Sequence, residues 1–311
     1  MKRMKQMAIA IGVAAMLIGC GEEKPQAPTQ APPVELTIND AAGMQLEEPE
    51  APTEAPEEPT PEAEPVLVFR DAFGEEYETT ILTDVPQRTY DNECFVHEGD
   101  RLTYEDAAYA SRIGIDISKY QGEIDWEKVK ADGITFVFIR IGCRGYGTAG
   151  NLMEDPMFAD NLRGAQEQGI DVGVYFFAQA INEAEAREEA EFVIGLLNGA
   201  ELQLPVVYDP ETIKNDTART DDVSGEQFTA NTIAFCETIA ETGYQPMVYS
   251  NMVWEAFQFD LRKLTQYPIW YADYEMLPQT PYWFTFWQYS EEGHVDGITG
   301  TVDMNIQLLS K

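Results

Sequence analysis

Histidine and cysteine are scarce in this chain of 311 residues, which contains two His and four Cys. His97 and His294 are too few for a histidine-rich metal site, and the Gly-x-Ser-x-Gly turn of many Ser-His-Asp hydrolases is missing. No Gly-x-x-x-x-Gly-Lys phosphate loop occurs, and no Cys-x-x-Cys pair indicates a zinc ribbon or a redox site. The sequence therefore predicts neither a metal nor a cofactor.

Basic residues are few as well. The chain has 20 Lys and Arg against 55 Asp and Glu, which gives a formal net charge of -35. Nucleic acid is not expected as a partner, because neutralising phosphates requires Lys and Arg. The same charge disfavours electrostatic adhesion to anionic lipid or anionic wall polymer. If the protein stays near a membrane or a wall, something other than charge must hold it there.

The first twenty residues supply a candidate for that attachment. Three basic residues precede an apolar run, Met7 to Ile18, which is too short to span a bilayer and fits the core of a signal peptide. The run ends in Leu17-Ile18-Gly19-Cys20, which resembles the cleavage box of bacterial lipoproteins. We therefore expect residues 1–20 to be a lipoprotein signal peptide, with a lipidated Cys20 anchoring the protein to a membrane of the cell envelope. An ordinary signal peptide with an incidental cysteine is the alternative.

Three further cysteines follow: Cys94, Cys143 and Cys236. An exported protein can form a disulfide, but the spacing of these residues does not specify a pair. Cys236 lies in a helical pattern, so we expect it to be a small buried hydrophobic residue.

Two segments separate the signal peptide from the main domain. Residues 21–65 contain ten of the 18 prolines, interspersed with Glu and Ala, a composition that predicts a disordered, extended linker. Residues 66–112 are mixed and predict a small structural extension. Its two expected strands, 66–69 and 77–82, flank a turn, and a short helix is expected to begin around Thr103 to Asp106. We expect His97 to be structural.

From Ile113 onward, strands and helices alternate. The apolar segments 134–141, 170–177 and 204–209 predict buried parallel strands, and the intervening segments predict amphipathic helices. Asp155, Asn182 and Ser224 are predicted helix N-caps. Five strand–helix units are followed by strands without good helices, which favours a barrel that finishes irregularly. A doubly wound open sheet is the competing topology.

Acidic residues occur where strands end. Asp116 follows the first strand of the barrel, Asp209 and Glu211 follow an apolar strand, and Asp303 lies in the last strand. Residues two apart on an extended chain face the same way, about 6.6 Å apart, and polar residues at the carboxyl ends of parallel barrel strands line active sites. Paired carboxyl groups suit glycoside hydrolysis, in which one acts as an acid while the other remains ionised.

Several ordered motifs strengthen this interpretation. The segment Gly114 to Trp126 resembles the opening motif of the family 25 glycoside hydrolases, the Chalaropsis-type lysozymes. Further matches cover the rest of the segment 113–311. They are Phe136 to Gly142, Asp160-Asn161 with Gly164-Ala165, Gly173 to Phe177, Pro205 to Glu211, Val248 to Ser250, Trp287 to Ser290 and Gly300 to Asn305.

The resemblance implies a TIM-like, irregular (β/α) barrel over 113–311, with five β/α units and three further strands. It implies muramidase activity: a monomer would cleave the β-1,4 bond between N-acetylmuramic acid and N-acetylglucosamine in peptidoglycan glycan strands. Glu211 matches the family's proton donor and Asp209 its partner, while Asp116 and Asp303 match the acids of the opening and closing motifs. In two departures, Pro210 stands between Asp209 and Glu211, and the family's Tyr-His-Phe appears as Tyr-Phe-Phe.

Other side chains are candidates for binding the substrate. Aromatic faces stack on sugar rings, and Arg140 and Arg144 flank a glycine-rich loop. We expect Arg140 to contact a substrate carboxylate and Arg144 to pair with acidic side chains. The aromatic candidates are Tyr175, Tyr249, Trp270 and Trp287, whereas Trp283, Phe284 and Phe286 are expected to pack internally.

Two other functions are compatible with this scaffold. One is a glycan-binding lipoprotein without catalysis, and the other is a barrel hydrolase acting on another glycan or on an amide. The presence of all four acids favours the muramidase over the first, and the scarcity of histidine disfavours metal-dependent amidases.

Overall fold

The computed structural model describes residues 65–214 and 216–311. The predicted signal peptide, the lipidated Cys20 and nearly all of the predicted linker lie outside these residues. Cys94, Cys143 and Cys236 lie inside them, and all three are free thiols. Cys236 is fully buried, as expected. Within the described ranges, no helix is both long and apolar enough to cross a membrane.

Thirteen strands and five α-helices form the described part of the chain. The strands are β1 (Val66–Arg70), β2 (Glu76–Thr80), β3 (Phe95–Glu98), β4 (Arg101–Tyr104), β5 (Tyr109–Ile117), β6 (Phe136–Arg144), β7 (Leu152–Glu154), β8 (Asp171–Ala178), β9 (Val206–Pro210), β10 (Pro246–Asn251), β11 (Ile269–Ala272), β12 (Phe286–Gly293) and β13 (Val302–Ser310). The helices are α1 (Trp126–Ala131), α2 (Phe158–Glu167), α3 (Glu183–Leu197), α4 (Gly225–Glu241) and α5 (Met252–Phe257).

Eight of these strands close into a barrel. The order around it is β5, β6, β8, β9, β10, β11, β12 and β13, and pairing of β5 with both β6 and β13 completes the circle. Neighbouring strands from β5 to β12 are parallel, whereas β13 is antiparallel to both of its neighbours. One helix follows each of the first five barrel strands, and none lies between β11 and β13. The prediction of five β/α units plus three strands is confirmed.

A glycine-rich loop after β6 bears on the competing topology. Gly145, Gly147 and Gly150 have the spacing of a dinucleotide-binding loop. Such a loop would open a helix, but this one leads into β7, which pairs antiparallel with the end of β6. Because the sheet is also closed, the doubly wound alternative is wrong.

Side chains alternate between the inside and the outside of the barrel. An inner cluster contains Phe136, Phe138 and Trp270, while the outer face of the strands packs against the helices. Glycine makes room for the inner rings: a Cβ on Gly114 would lie 2.4 Å from the Phe136 ring, and one on Gly173 2.5 Å from Phe138. These rings fill the interior of the barrel.

Helix starts follow the sequence in two of the three predicted cases. Asn182 caps α3 by accepting from the Glu185 N–H, and Ser224 caps α4 by accepting from the Gln227 N–H. The prediction for Asp155 is wrong, since α2 begins three residues later, after Met157, which provides no side-chain cap. Asp155 instead accepts from the Met157 N–H inside a turn, which leaves its other oxygen for the site described below.

The predicted extension forms two hairpins, β1–β2 and β3–β4. The expected helix at Thr103 to Asp106 is wrong: β4 runs to Tyr104, and its side chains alternate between buried and exposed. The first barrel strand also begins earlier than expected, at Tyr109. The extension covers the outer face of β12, where Phe95 packs edge-on against Trp287 at 5.3 Å. It therefore covers part of the barrel that has no helix.

Candidate active site

Four acidic side chains meet at one end of the barrel. Asp116 near the end of β5 lies opposite Asp303 at the start of β13 in the antiparallel ladder. Asp209 near the end of β9 and Glu211 just beyond it complete the group, and electrostatic coupling links the two pairs. The structure thus brings together all four acids singled out in the sequence, at the carboxyl ends of the parallel strands.

Asp116 is held by amide side chains. One of its oxygens accepts hydrogen bonds from Gln288 Nε2 at 2.7 Å and from Asn305 Nδ2 at 2.8 Å. The Gln288 oxygen in turn accepts from the Tyr249 hydroxyl at 2.9 Å, and the Asn305 oxygen from the Trp270 indole N–H at 2.7 Å. This chain of satisfied donors fixes the orientation of a carboxyl group that is nearly fully buried.

Asp116 and Asp303 lie side by side, and each changes the pKa of the other. Burial raises the pKa of Asp116, and the charge of Asp303 raises it further, against the two amide donors. Burial also raises the pKa of Asp303 to about 6, although the hydrogen bond with Asp116 lowers it. Since two adjacent carboxylates repel, the pair retains a proton in weak acid.

Asp209 is buried without compensation. It is 3% exposed, and its Oδ1 has no hydrogen-bond partner among the described residues. Burial raises the pKa of Asp209, followed by the charges of Glu211 and Asp116, whereas Arg140 lowers it. Leaving a buried polar oxygen unsatisfied is costly, and the cost is greater when the carboxyl group is ionised.

Glu211, unlike Asp116 and Asp209, is only partly buried. Burial, followed by the charge of Asp303, raises its pKa to about 7, and Arg140 opposes the shift. In the described part of the chain its carboxyl group accepts no hydrogen bond, but its backbone oxygen accepts from Gln179 Nε2 at 2.8 Å. Gln179 is itself held by Thr220 and by Glu189, so the segment that carries Glu211 is anchored to α3.

Arg140 supplies the positive charge of the site. Its Nε donates to one oxygen of Asp155 at 2.8 Å, and a terminal nitrogen forms an ion pair with the same oxygen at 2.7 Å. The same carboxylate accepts the Lys119 N–H at 3.0 Å. The guanidinium also lies 5.2 Å from the centre of the exposed Tyr120 ring. Asp155, predicted as a helix cap, thus orients the cation that lowers the pKa of Asp209 and Glu211.

Arg144 lies away from these acids. Its Nε donates to the fully buried Glu189 at 2.8 Å, and a terminal nitrogen donates to Glu188 at 2.7 Å. The expectation that Arg144 pairs with acidic side chains is therefore confirmed.

The aromatic candidates lie on different faces of the barrel strands, because neighbouring residues of a strand point to opposite sides. Tyr175 is partly exposed and next to the acids, and its pKa is raised by burial and then by Asp116. The prediction for Trp287 is wrong, because its side chain lies on the outer face of β12, fully buried against the extension, and its indole N–H donates to the Asp273 backbone oxygen. Trp270 faces inward but is 1% exposed and stacks on Phe138, so it forms part of the floor and offers no face to a ligand.

The remaining side chains that the sequence singled out differ in their burial. Tyr249 is buried and bonded to Gln288, so its contact with substrate stays a prediction, as does that of Arg140. Phe284 and Phe286 are buried as expected, whereas Trp283 is partly exposed. Within residues 65–214 and 216–311, no group of three or more His, Cys, Asp or Glu side chains is arranged to hold a metal ion.

Sequence reasoning missed several members of the site. Asn305 lies two residues after Asp303, so strand periodicity places both on one face, and that signal was present. Gln288 alternates with Trp287 in the same manner. The roles of Asp155 and Gln179 depend on contacts between distant segments, and no local pattern indicates them.

Known proteins resemble the chain over this barrel. The model of the family described as glycosyl hydrolases family 25 matches residues 115–298. Lysozyme M1 of Streptomyces globisporus is 28% identical over 66% of the chain and 71% of its own length. The autolytic lysozyme of Clostridium acetobutylicum is 27% identical over 62% of the chain, which spans 54% of that relative.

A solved structure shows the same fold. The modular autolysin LytC from Streptococcus pneumoniae has a TM-score of 0.55 at 24% identity, over 77% of this chain and 56% of LytC. This chain therefore spans little more than half of that protein. Because the family model covers more than half of the residues and the barrel carries the acids at its carboxyl-terminal end, the chain belongs to glycosyl hydrolases family 25 and is a glycoside hydrolase.

Proposed function

We propose that the protein is a peptidoglycan muramidase that hydrolyses the β-1,4 bond between N-acetylmuramic acid and N-acetylglucosamine, with Glu211 as the proton donor. The observation that carries the proposal is the pair Asp209 and Glu211, two acids in one cleft with raised pKa values and with one buried oxygen unsatisfied. The relatives named as lysozymes support peptidoglycan as the substrate.

The chemistry follows from the different surroundings of the two acids. With a pKa of about 7, Glu211 holds a proton at weakly acidic pH and gives it to the oxygen of the leaving sugar. Asp209 is the buried member of the pair and lies next to Arg140. Once it is ionised, Asp209 stabilises the positive charge that develops on the sugar ring, and the guanidinium of Arg140 favours that ionised form.

Asp116 and Asp303 have a supporting role in this scheme. Their side chains hold a shared proton and sit in the network of Gln288 and Asn305. The charge of Asp303 helps to keep the pKa of Glu211 high, and that of Asp116 acts on Asp209. Asp116 and Asp303 thus raise the pKa values of Asp209 and Glu211.

Digestion of purified peptidoglycan, followed by reducing-end analysis, tests the proposal. We expect the wild type to generate new N-acetylmuramic acid reducing ends and Glu211→Gln to lose at least a hundredfold in rate, the usual contribution of a general acid. Glu255→Gln is the matched control, since Glu255 is also buried with a raised pKa but bonds Thr280 instead of joining the four acids. Binding of peptidoglycan without cleavage by the wild type would instead identify a glycan-binding protein.

We further propose that the protein acts as a monomer held at the cell envelope through a lipid on Cys20. The motif that ends at Cys20 supports this proposal, together with a net charge that disfavours electrostatic attachment. Membrane fractionation compares the wild type with Cys20→Ala: we expect the wild type in the membrane fraction and the variant released. Equal distribution of the two would refute the anchor, and a dimer mass in light scattering would refute the monomer.

A further inference from the structure

The segment between β11 and β12, here called the β11–β12 loop (residues 273–285), reaches the mouth of the cleft. The Tyr274 hydroxyl donates to the Gln288 oxygen at 3.0 Å, and Gln288 in turn donates to Asp116. Tyr274 is 36% exposed, so its ring borders solvent while its hydroxyl points into the site. Met276 and Leu277 extend this exposed apolar surface.

The ring of Tyr274 lies beside the acids of the site. Burial of its hydroxyl end raises the pKa of Tyr274, and the charges of Asp303, Glu291, Asp116 and Glu211 raise it further. The ring therefore borders both the carboxyl groups of the site and solvent.

The N-terminal extension holds this loop in place. The Arg70 N–H donates to Gln279 Oε1 at 2.8 Å, and Gln279 Nε2 donates back to the Arg70 oxygen at 2.9 Å. Arg88 donates to the backbone oxygens of Thr280 at 2.8 Å and Pro278 at 3.2 Å. His97 Nε2 lies 2.9 Å from the Met276 oxygen. Three separate points of the extension therefore contact one loop.

The loop is also braced from within. One Asp273 oxygen accepts the Tyr271 hydroxyl at 2.7 Å and the Gln279 N–H at 2.9 Å, and the other accepts the Glu275 N–H at 3.1 Å. Bonds inside the loop and to the extension leave Tyr274 little freedom, and a preorganised aromatic ring binds a ligand at low cost in entropy.

We propose that the β11–β12 loop forms a sugar-binding subsite in which the Tyr274 ring packs against a pyranose ring of the glycan strand, and that the extension holds this subsite in position. The inference rests on the proposed function, because it assumes a glycan in the cleft. Sugar rings present C–H faces that match the apolar face of an aromatic ring. The extension lies outside the residues 115–298 that match the family model.

Substitution of Tyr274 tests the sugar-binding subsite. With soluble glycan fragments of peptidoglycan, we expect Tyr274→Ala to raise KM about five- to tenfold, the usual worth of an aromatic contact. Tyr274→Phe keeps the ring and should stay within about twofold of the wild-type KM. The matched control is Tyr244→Ala, which removes a partly exposed tyrosine that precedes β10 at the opposite end of the barrel and bonds the Ala200 oxygen; it should leave KM unchanged.

Binding separates this inference from the proposed function. In the Glu211→Gln background, sedimentation with insoluble peptidoglycan should show weaker binding when Tyr274→Ala is added. An active wild type with unchanged KM and binding in Tyr274→Ala would overturn the subsite and leave the muramidase intact. A KM for Tyr274→Phe as high as that for Tyr274→Ala would also overturn it, since the hydroxyl would then matter and not the ring. A wild type without activity would overturn the function itself.

Substitution at the contact between the extension and the loop tests the second half of the proposal. Gln279→Ala removes both hydrogen bonds with Arg70, together with the bond from Gln279 Nε2 to Asp273 at 3.1 Å, and should raise KM about two- to fivefold. Glu76→Gln is the control, because it alters an exposed ion pair with Arg70 on the same strand pair without touching the loop. An unchanged KM in Gln279→Ala would show that the extension does not position the subsite.

Discussion

At the scale of single residues, one arginine acts on two of the four acids. Arg140 is the cation that lowers the pKa of both Asp209 and Glu211. A hydrogen bond and an ion pair with the buried Asp155 fix its position, and a guanidinium group keeps its charge at any pH near neutrality. Without Arg140, nothing among the described residues would oppose burial and mutual repulsion, which raise the pKa values of Asp209 and Glu211. The working pH of the site therefore depends on Arg140 as much as on the acids.

Removal of this charge should shift the pH profile upward. In Arg140→Gln the pKa values of Glu211 and Asp209 both rise, so Glu211 keeps its proton to higher pH and Asp209 ionises later. We expect both limbs of the profile of kcat/KM on soluble glycan fragments to move by about one pH unit. Arg140→Lys, which keeps the charge, should move them much less. Identical profiles for the wild type and Arg140→Gln would contradict this electrostatic role.

At the scale of strands and helices, much of the fold was predictable. The strands are long apolar runs, and capping residues such as Asn182 and Ser224 mark helix starts, because local chemistry decides both. Local chemistry does not decide which face of a strand points inward. Trp287 and Gln288 illustrate this limit: barrel closure and the covering extension, both long-range features, turn the tryptophan outward and the glutamine toward Asp116.

In the candidate site, too, local spacing predicts some residues and long-range contacts determine others. Asp209 and Glu211 were predictable because a spacing of two residues on a strand end places them together. Asp155 was not, since its function arises from a turn that meets Arg140 and Lys119 from other segments. Tyr274 was not predictable either, because the extension positions its loop. Strand periodicity led to Asp209 and Glu211 and also carried the signal for Asn305 and Gln288, whereas no local pattern defines the residues that loop contacts place in the site.

Two glycines on different elements should respond to alanine with opposite signs. Gly173→Ala in β8 puts a Cβ against the Phe138 ring at 2.5 Å and the Pro205 backbone oxygen at 2.8 Å. Overpacking of this kind costs about 1–3 kcal/mol. Gly195→Ala in α3 meets nothing within 4 Å and should stabilise the protein by about 0.5–1 kcal/mol. Urea unfolding midpoints measure both, and destabilisation by Gly195→Ala would contradict the packing described.

At the scale of the whole molecule, the extension and the acidity both shape the barrel. The extension packs against the last strands, where no helix does, through Phe95 on Trp287 and the Tyr90 hydroxyl on the Phe284 oxygen. The interior meanwhile contains acids remote from the cleft, such as Glu189 and Glu255. Burying a carboxyl group favours its neutral form, so the stability of the fold is tied to pH.

The dependence of stability on pH has a definite sign. Burial is the main cause that raises the pKa of Asp303 to about 6, of Glu189 and Glu211 to about 7, and of Glu255 to about 8. Near pH 5.5 the native state therefore holds protons that the unfolded chain has largely released. The free energy of unfolding must fall as pH rises toward 8.5. At about 1.4 kcal/mol per pKa unit, the four groups together account for a loss of several kcal/mol.

Urea unfolding at pH 5.5 and 8.5, each at low and high salt, tests this expectation. Repulsion within a chain of net charge -35 acts in the same direction, but salt screens exposed charges much more than buried ones. We therefore expect most of the loss to persist at high salt. Glu255→Gln removes one buried acid and should flatten the dependence between the two pH values, whereas Glu76→Gln, at an exposed site, should not. Equal or greater stability of the wild type at pH 8.5 would mean that these acids are already ionised in the native fold.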